Sequence, residues 1–263
     1  MCAYRSDSQS IIITGASSGI GQALAEYYAA PDVVLGLTGR DAQRLGQVAA
    51  LCRDKGAIVV EGLVDVTDRQ GMYDWICSFD AAHPVDLVVA NAGISAGTGG
   101  VLIGEPADQV RHVFDVNLNG VLNTIEPLQE KMIERGSGQI AIMSSLAGYR
   151  GWPGAPAYCG SKAAVRVYGE ALRGALWKTG IRVNVICPGF VESRMTSVND
   201  FPMPHIIKSD KAAEIIGRGL RKNKGRIAFP TFPAFMAWVF MVVFDCISQK
   251  ILSYMPSKSK KSE

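Results

Sequence analysis

The side chains that build metal and redox centres are scarce in this chain. Only three histidines, His83, His112 and His205, occur among 263 residues, and they stand far apart. A metal needs converging nitrogen, sulfur or carboxylate ligands, so no metal site is expected. The six cysteines (Cys2, Cys52, Cys77, Cys159, Cys187 and Cys246) include no Cys-x-x-Cys pair, the spacing of zinc ribbons and dithiol centres. Scattered thiols suit a reducing compartment, and a cytoplasmic location is expected. Excess charge is lacking too. A net charge of +3 without a concentrated basic face gives no reason to expect nucleic acid as a partner. Met1 to Ser10 has no apolar h-region, so no secretory signal is expected.

What is present is an ordinary globular composition, 48% hydrophobic and 19% charged, which suits one domain spanning 1–263. Short β-branched runs alternate with longer amphipathic stretches. The runs predict strands at Ser10–Thr14, Val33–Thr38, Ala57–Val64, Asp86–Ala90, Gln139–Ser144, Arg182–Cys187 and Arg226–Phe229. Helical spacing falls between them, near Gly19–Ala29, Asp41–Asp54, Asp68–Ala81, Pro106–Arg135, Tyr158–Thr179 and Asp210–Arg221. Strands joined by helices of that length predict a parallel sheet covered on both faces, an α/β doubly wound, Rossmann-type fold. Ile94–Glu105 and Phe190–Ile207 read as loops. The second follows the carboxyl end of a strand and is long for a passive connection, so residues 190–209 are expected to cover a substrate.

The first strand runs into Thr14-Gly15-Ala16-Ser17-Ser18-Gly19-Ile20-Gly21. Glycines there permit a tight turn and a close backbone approach, and the N–H groups of the following helix favour a pyrophosphate. The spacing is not the usual G-x-G-x-x-G, so the turn alone decides little. Tyr158-Cys159-Gly160-Ser161-Lys162 adds a second feature. Four residues apart on a helix, Tyr158 and Lys162 share a face, and an ammonium beside a phenol would lower the phenol's pKa toward working pH. A proton exchanger of that kind serves hydride transfer, in which an alkoxide forms or collapses.

Taken together these motifs resemble the short-chain dehydrogenase/reductase family in its single-domain branch, over about residues 8 to 230. The resemblance implies a seven-stranded parallel sheet in the order 3-2-1-4-5-6-7. It implies cofactor contacts from Gly15, Ser17, Ser18, Gly19, Ile20 and Gly21, from Asp65 and Val66 after the third strand, and from Asn91-Ala92-Gly93 after the fourth. Pro188, Gly189 and Val191 would lie beside the nicotinamide. Asn117, Ser145, Tyr158 and Lys162 match the catalytic tetrad. Ser145 would steady the substrate oxygen, Tyr158 would exchange the proton, and Lys162 would hold the nicotinamide ribose. Asn117 would anchor a water that links Lys162 to solvent. Ser144 is the adjacent alternative to Ser145, whose thirteen-residue gap to Tyr158 fits the family.

The second strand lacks the terminal acid that grips a ribose 2′-hydroxyl in NAD enzymes. It ends Leu37-Thr38-Gly39-Arg40, and a guanidinium suits a 2′-phosphate, so NADP(H) is favoured over NAD(H). Asp41, next in line, reads as a helix N-cap. The expected function is NADP(H)-dependent transfer of a hydride to or from a small-molecule carbonyl or secondary alcohol. The alternative is an NADPH-binding sensor without turnover. Aromatic and apolar residues in Ile94–Gly100, Leu146–Trp152 and Phe190–Ile207, with Trp152 and Phe190 at the wall, suggest a fairly hydrophobic substrate. Residues 230–263 form an apolar extension. Ala234 to Phe244 is an uncharged run of eleven residues, short of the ~18 that span a bilayer, and it is followed by lysines. It could pack against another subunit of a homodimer or homotetramer, cover the active site, or rest on a membrane as a peripheral contact.

Overall fold

The β-branched runs do form strands: β1 (Ser10–Thr14), β2 (Val34–Thr38), β3 (Ile58–Gly62), β4 (Leu87–Ala90), β5 (Gly138–Met143), β6 (Ile181–Pro188) and β7 (Arg226–Phe229). They make one parallel sheet in the order β3-β2-β1-β4-β5-β6-β7. The computed structural model describes residues 9–98, 104–199 and 201–252. The leader at 1–8, residues 99–103 of the glycine-rich loop and the lysine-rich end at 253–263 lie outside the described residues.

Alternation along each strand feeds two cores, because successive side chains point to opposite faces. Ile11 and Ile13 join one cluster while Ile12 joins the other. Leu87 and Val89 separate from Val88 in the same way. Helices α1 (Gly19–Tyr28), α2 (Ala42–Asp54) and α8 (Ser209–Arg221) cover the first face through residues such as Leu24, Leu45 and Ile216. Helices α3 (Arg69–Ala82), α5 (Gly120–Arg135) and α6 (Pro156–Ala175) cover the second through Met72, Ile125 and Val165. The sheet is buried on both sides, which is why its strands read as near-continuous apolar runs.

Local chemistry sets the helix ends. Asp41 and Asp68 act as N-caps, accepting from Arg44 N at 2.9 Å and Gly71 N at 3.0 Å. Helix α5 stops at Gly136, whose φ of 65° only glycine adopts readily. Two expectations need correction. Helix α6 ends at Ala175 and not near Thr179, because the Thr179 hydroxyl donates to Leu176 O at 2.8 Å and closes a turn there. The long helix expected over Pro106–Arg135 is α4 (Ala107–Phe114) joined to α5 through a π-helical turn, Asp115–Asn119. In that turn Gly120 N–H donates to Asp115 O, five residues back.

Strand order reverses between β1 and β4, so their carboxyl ends diverge into a crevice. Around its far side run the short helix α7 (Arg194–Ser197), then α9 (Thr231–Val242) and α10 (Asp245–Leu252).

Candidate active site

At the reversal point the ends of β1 and β4 are laced together. Thr14 Oγ1 accepts from Asn91 N at 3.1 Å and Ala92 N at 3.2 Å, and Asn91 Nδ2 donates to Thr14 O at 2.9 Å. Gly15 sits at φ 65°, and a Cβ there would lie 2.8 Å from Ala92 Cα. The turn therefore passes the β4 exit at backbone distance, and glycine is required on both counts. Ser18 caps α1 without a side-chain bond, and the helix's first turn carries no acid. Its leading N–H groups thus face the crevice with an uncompensated positive dipole end, which suits a phosphate. Gly21 does not line the crevice. A Cβ on it would collide with Gly15 O and Asn91 Nδ2, so its part is close packing of α1 on the turn.

At the end of β2, Arg40 reaches Asp65 across the crevice at 3.5 Å, with its side chain 57% exposed. The Asp65 carboxyl is partly desolvated, which raises its pKa. Bonds from Thr67 N and Oγ1 at 2.9 and 2.8 Å, together with Arg40, outweigh that and hold it low. A second guanidinium, Arg44, lines the same place. It is tied to Asp41 at 3.0 Å, and its buried Nε has no hydrogen-bond partner. Sequence reading singled out Arg40 and passed over Arg44, although an arginine in the first turn of the next helix was visible.

The reacting groups meet where β4, β5, α6 and β6 converge. Ser145, 8% exposed, caps the turn after β5 by accepting from Ala147 N at 3.1 Å, and it is hydrogen-bonded to Tyr158. Ser144 has a different job. It is 1% exposed and donates to Lys162 O at 2.7 Å, a bond that anchors α6 to the strand end. Lys162 is 3% exposed and donates from Nζ to Met143 O at 3.0 Å. Burial depresses its ammonium to about 8, opposed only by the nearby Cys187 thiol. Its Nζ stands 6.0 Å from the Tyr158 ring centroid.

An acidified Tyr158 phenol was expected from that neighbour. The structure differs: burial raises the phenol above its ordinary value, the Ser145 bond opposes the rise, and Lys162 has no resolved part. The physical reason is that Lys162 spends its Nζ on Met143 O, and desolvation of the phenolate dominates. Asn117, fully buried on the π turn, also lies outside the cavity lining. Its Oδ1 accepts from Ile94 N at 2.8 Å, and its Nδ2 donates to Ile94 O at 2.9 Å and Ser161 Oγ at 3.0 Å. The amide clips the β4 exit to α6 one residue before Lys162.

One continuous cavity of about 1040 Å³ joins these places. Gly15, Ser17, Ser18, Gly19, Ile20 and Arg40 line one end, and Asp65, Val66, Asn91, Ala92 and Gly93 the next stretch. Ser145, Tyr158, Lys162, Pro188, Gly189 and Val191 line the middle. Of the residues singled out from sequence, only Gly21 and Asn117 stand back from it. A Cβ on Gly93 would come within 3.1 Å of Asn117 Oδ1 and 3.2 Å of Lys162 Nζ, so bare backbone forms the floor there. The opposite end is aromatic and apolar. Trp152 packs edge-on to Phe201 at 5.7 Å, Phe190 meets Phe201 at 6.1 Å, and His205 meets Phe232 at 5.6 Å. Phe201 and Arg150, which donates to Ser248 at 2.5 Å, fall within the wall stretches expected from sequence, whereas Phe232 is a wall residue that sequence reasoning did not single out. No signal short of the fold brings Phe232 there.

The volume, the glycine turn and the bare α1 terminus fit a nicotinamide dinucleotide at one end, leaving room for a substrate at the other. Among the described residues no His/Cys/Asp/Glu group could hold a metal ion.

Comparison with known proteins agrees with this geometry. The family model for short chain dehydrogenase matches residues 9–201. An uncharacterized oxidoreductase of Myxococcus xanthus (strain DK1622) is 38% identical over 249 residues, covering 91% of this chain and 96% of that protein. A short-chain dehydrogenase from Sphingobium yanoikuyae, solved in complex with NADPH, superposes with a TM-score of 0.78 at 23% identity, covering 94% of this chain and 96% of that one. A 3-oxoacyl-[acyl-carrier protein] reductase from Brucella melitensis, solved with bound NAD, has a TM-score of 0.72 at 27% identity, covering 84% and 89%. A sheet wound in this order, ending in this crevice and matched along most of its length, makes the chain an enzyme of the short-chain dehydrogenase family.

Proposed function

We propose that the chain transfers a hydride between NADP(H) and the carbonyl or secondary alcohol of a fairly hydrophobic small molecule. The observation that carries this reading is the Ser145–Tyr158 hydrogen bond, set beside buried Lys162 where the glycine-floored crevice meets the aromatic-walled end of the cavity. Gly15, Ser17, Ser18 and Gly19 at the α1 terminus would hold the cofactor's pyrophosphate, and the cofactor would supply or accept the hydride.

The remaining work belongs to side chains of the protein. Ser145 donates to the substrate oxygen and steadies charge as it develops. Tyr158 delivers or takes the proton at that oxygen, and its raised pKa keeps it protonated and ready to donate near neutral pH. Lys162, poised at about 8, gives up or regains a proton near working pH, replenishes Tyr158 and holds the ribose hydroxyls. Asn117 belongs to the proton path from Lys162 to solvent, and it acts by holding Ile94 and Ser161 in place. Arg40 and Arg44 together provide the charge for a 2′-phosphate, which favours NADP(H). The loop over 190–209 covers the substrate. We also infer that the molecule works as a cytoplasmic homodimer or homotetramer.

The experiment is a screen of NADPH and NADH consumption over chemically varied ketones, and of the reverse reaction over secondary alcohols. Turnover with apolar ketones and a preference for NADPH is the expected outcome. Tight NADPH binding with no turnover on any compound would replace the enzyme with a sensor, and equal use of NADH would remove the cofactor assignment.

A further inference from the structure

Helix α9 is apolar all the way round. Between Arg226 and Asp245 the sequence carries no charge, and Thr231 is the one hydroxyl. At 100° per residue the helix divides into two arcs. Pro233, Met236, Ala237 and Phe240 fall on one arc and line the cavity. Phe235, Trp238 and Val242 fall on the other, and they are 57%, 45% and 58% exposed, while Phe232, at the border of the two arcs, lines the cavity mouth and is 62% exposed. None of the helix's residues is fully buried. The exposed strip continues past the helix through Phe244, Ile247 and Ile251.

A surface helix of a water-facing protein normally turns a polar face outward. Here the outer arc presents two stacked aromatics, Phe235 and Trp238, with centroids 6.1 Å apart. A contiguous exposed apolar strip of this kind marks a contact surface. The adjoining sequence carries Lys250, Lys258, Lys260 and Lys261 against only Asp245 and Glu263, so the strip is followed by net positive charge. Among the described residues no helix is long and apolar enough to cross a membrane, so α9 can lie on a bilayer but not span it. Aromatics flanked by lysines suit an anionic lipid surface, where the rings enter the headgroup boundary and the ammoniums meet phosphate or carboxylate.

We propose that α9 docks the enzyme on an anionic lipid surface through Phe235, Trp238 and Val242, and that its inner arc receives a lipid-soluble ketone or alcohol from that surface. The docking half rests on α9 alone; the substrate half rests on the hydride-transfer reading. One helix thus serves as anchor on one side and substrate wall on the other. A substrate partitioned in lipid passes from acyl chains to Phe240, Met236 and Phe201 without leaving an apolar medium.

The test floats the full-length protein with phosphatidylcholine vesicles, with and without phosphatidylserine. Recovery with the anionic vesicles is expected to exceed that with neutral ones by about tenfold, to fall at high salt, and to vanish in Phe235→Asp/Trp238→Asp. Because the double variant could misfold, Trp238→Phe is the second arm. It should float like the wild type but lose much of the tryptophan quenching produced by brominated lipid. Activity is read on cyclohexanone in buffer and on a long-chain methyl ketone dissolved in the vesicles. The double variant should keep the first and lose the second by about tenfold. Failure of the wild type to float on anionic vesicles overturns the docking. So does a shift from dimer to monomer in the double variant when neither protein floats, since a second copy then covers α9. Turnover of cyclohexanone with no dependence on vesicles for the long-chain ketone overturns the lipid substrate alone. Flotation without turnover of either ketone overturns the hydride-transfer reading and leaves the docking standing.

Discussion

The two ends of the cavity are built on opposite plans. At the cofactor end, small polar side chains are tied down: Thr14 and Asn91 spend their bonds on backbone, Asp65 is held by Thr67 and Arg40, and Gly15 and Gly21 leave no room for another atom. At the substrate end, Trp152, Phe201 and Phe232 meet through rings, and α9 packs none of its residues out of solvent. A site that must hold the same ligand at every turnover is over-determined by hydrogen bonds. A wall made of ring contacts can be re-cut by substitution without loosening the sheet.

Substitutions at the two ends should fail in different ways. The largest effect is expected where the two ends meet. Tyr158→Phe should lower kcat by about 10²–10⁴-fold while leaving cofactor affinity and thermal stability nearly intact; steady-state kinetics beside a melting curve checks both, and full turnover would remove Tyr158 from the chemistry. Next, removing both guanidiniums in Arg40→Ala/Arg44→Ala should raise the KM for NADPH by roughly tenfold to a hundredfold and barely alter that for NADH. Equal losses on both cofactors would mean that the arginines only shape the loop.

Lys162 offers a pH test. Its pKa is depressed in the folded chain to about 8, against 10.5 for the exposed group. Above pH 8 the unfolded chain still binds a proton that the native one has shed, so stability rises with pH until the unfolded group also titrates; below pH 8 the cost of burying the charge is present in full. The buried Cys52 and Cys187 thiols, pushed up to about 11, pull the other way in both proteins, so urea unfolding of the wild type should gain about 2 kcal/mol between pH 8 and 10 relative to Lys162→Met. The smallest effects separate the two ends most clearly. Gly21→Ala should cost about 1–3 kcal/mol of stability through overpacking. Phe201→Ala should change substrate KM by about threefold and hardly move the melting temperature. If the two substitutions cost the same stability, the contrast is wrong.

These plans also explain what could be read from the amino acids. Strands such as Ile11–Ile13 announce themselves by unbroken apolar runs, and their ends came within two residues of the structure. The crevice was legible because glycine at 15 and an Asn-Ala-Gly exit are demanded by backbone approach. The acidified phenol was misjudged because helical spacing tells which residues share a face but not where an Nζ finds its acceptor. For Lys162 that acceptor is Met143 O, supplied by a strand end distant in sequence. Helix α9 gave no orientation at all. A helix apolar on every side has no periodicity from which to tell inside from outside, and its partition between Phe240 and Phe235 emerges only against the finished sheet.

The wide turn at Asp115–Asn119 joins α4 to α5 and carries Asn117. Such a turn is what an α-helix makes of a single inserted residue, since the helices on either side keep their phase. Deleting one residue there would let α4 run into α5 as one regular helix, with Val113 and Ile125 still buried, while the clip from Asn117 to Ile94 and Ser161 disappears. Scaffold and chemistry are thus separable by one codon.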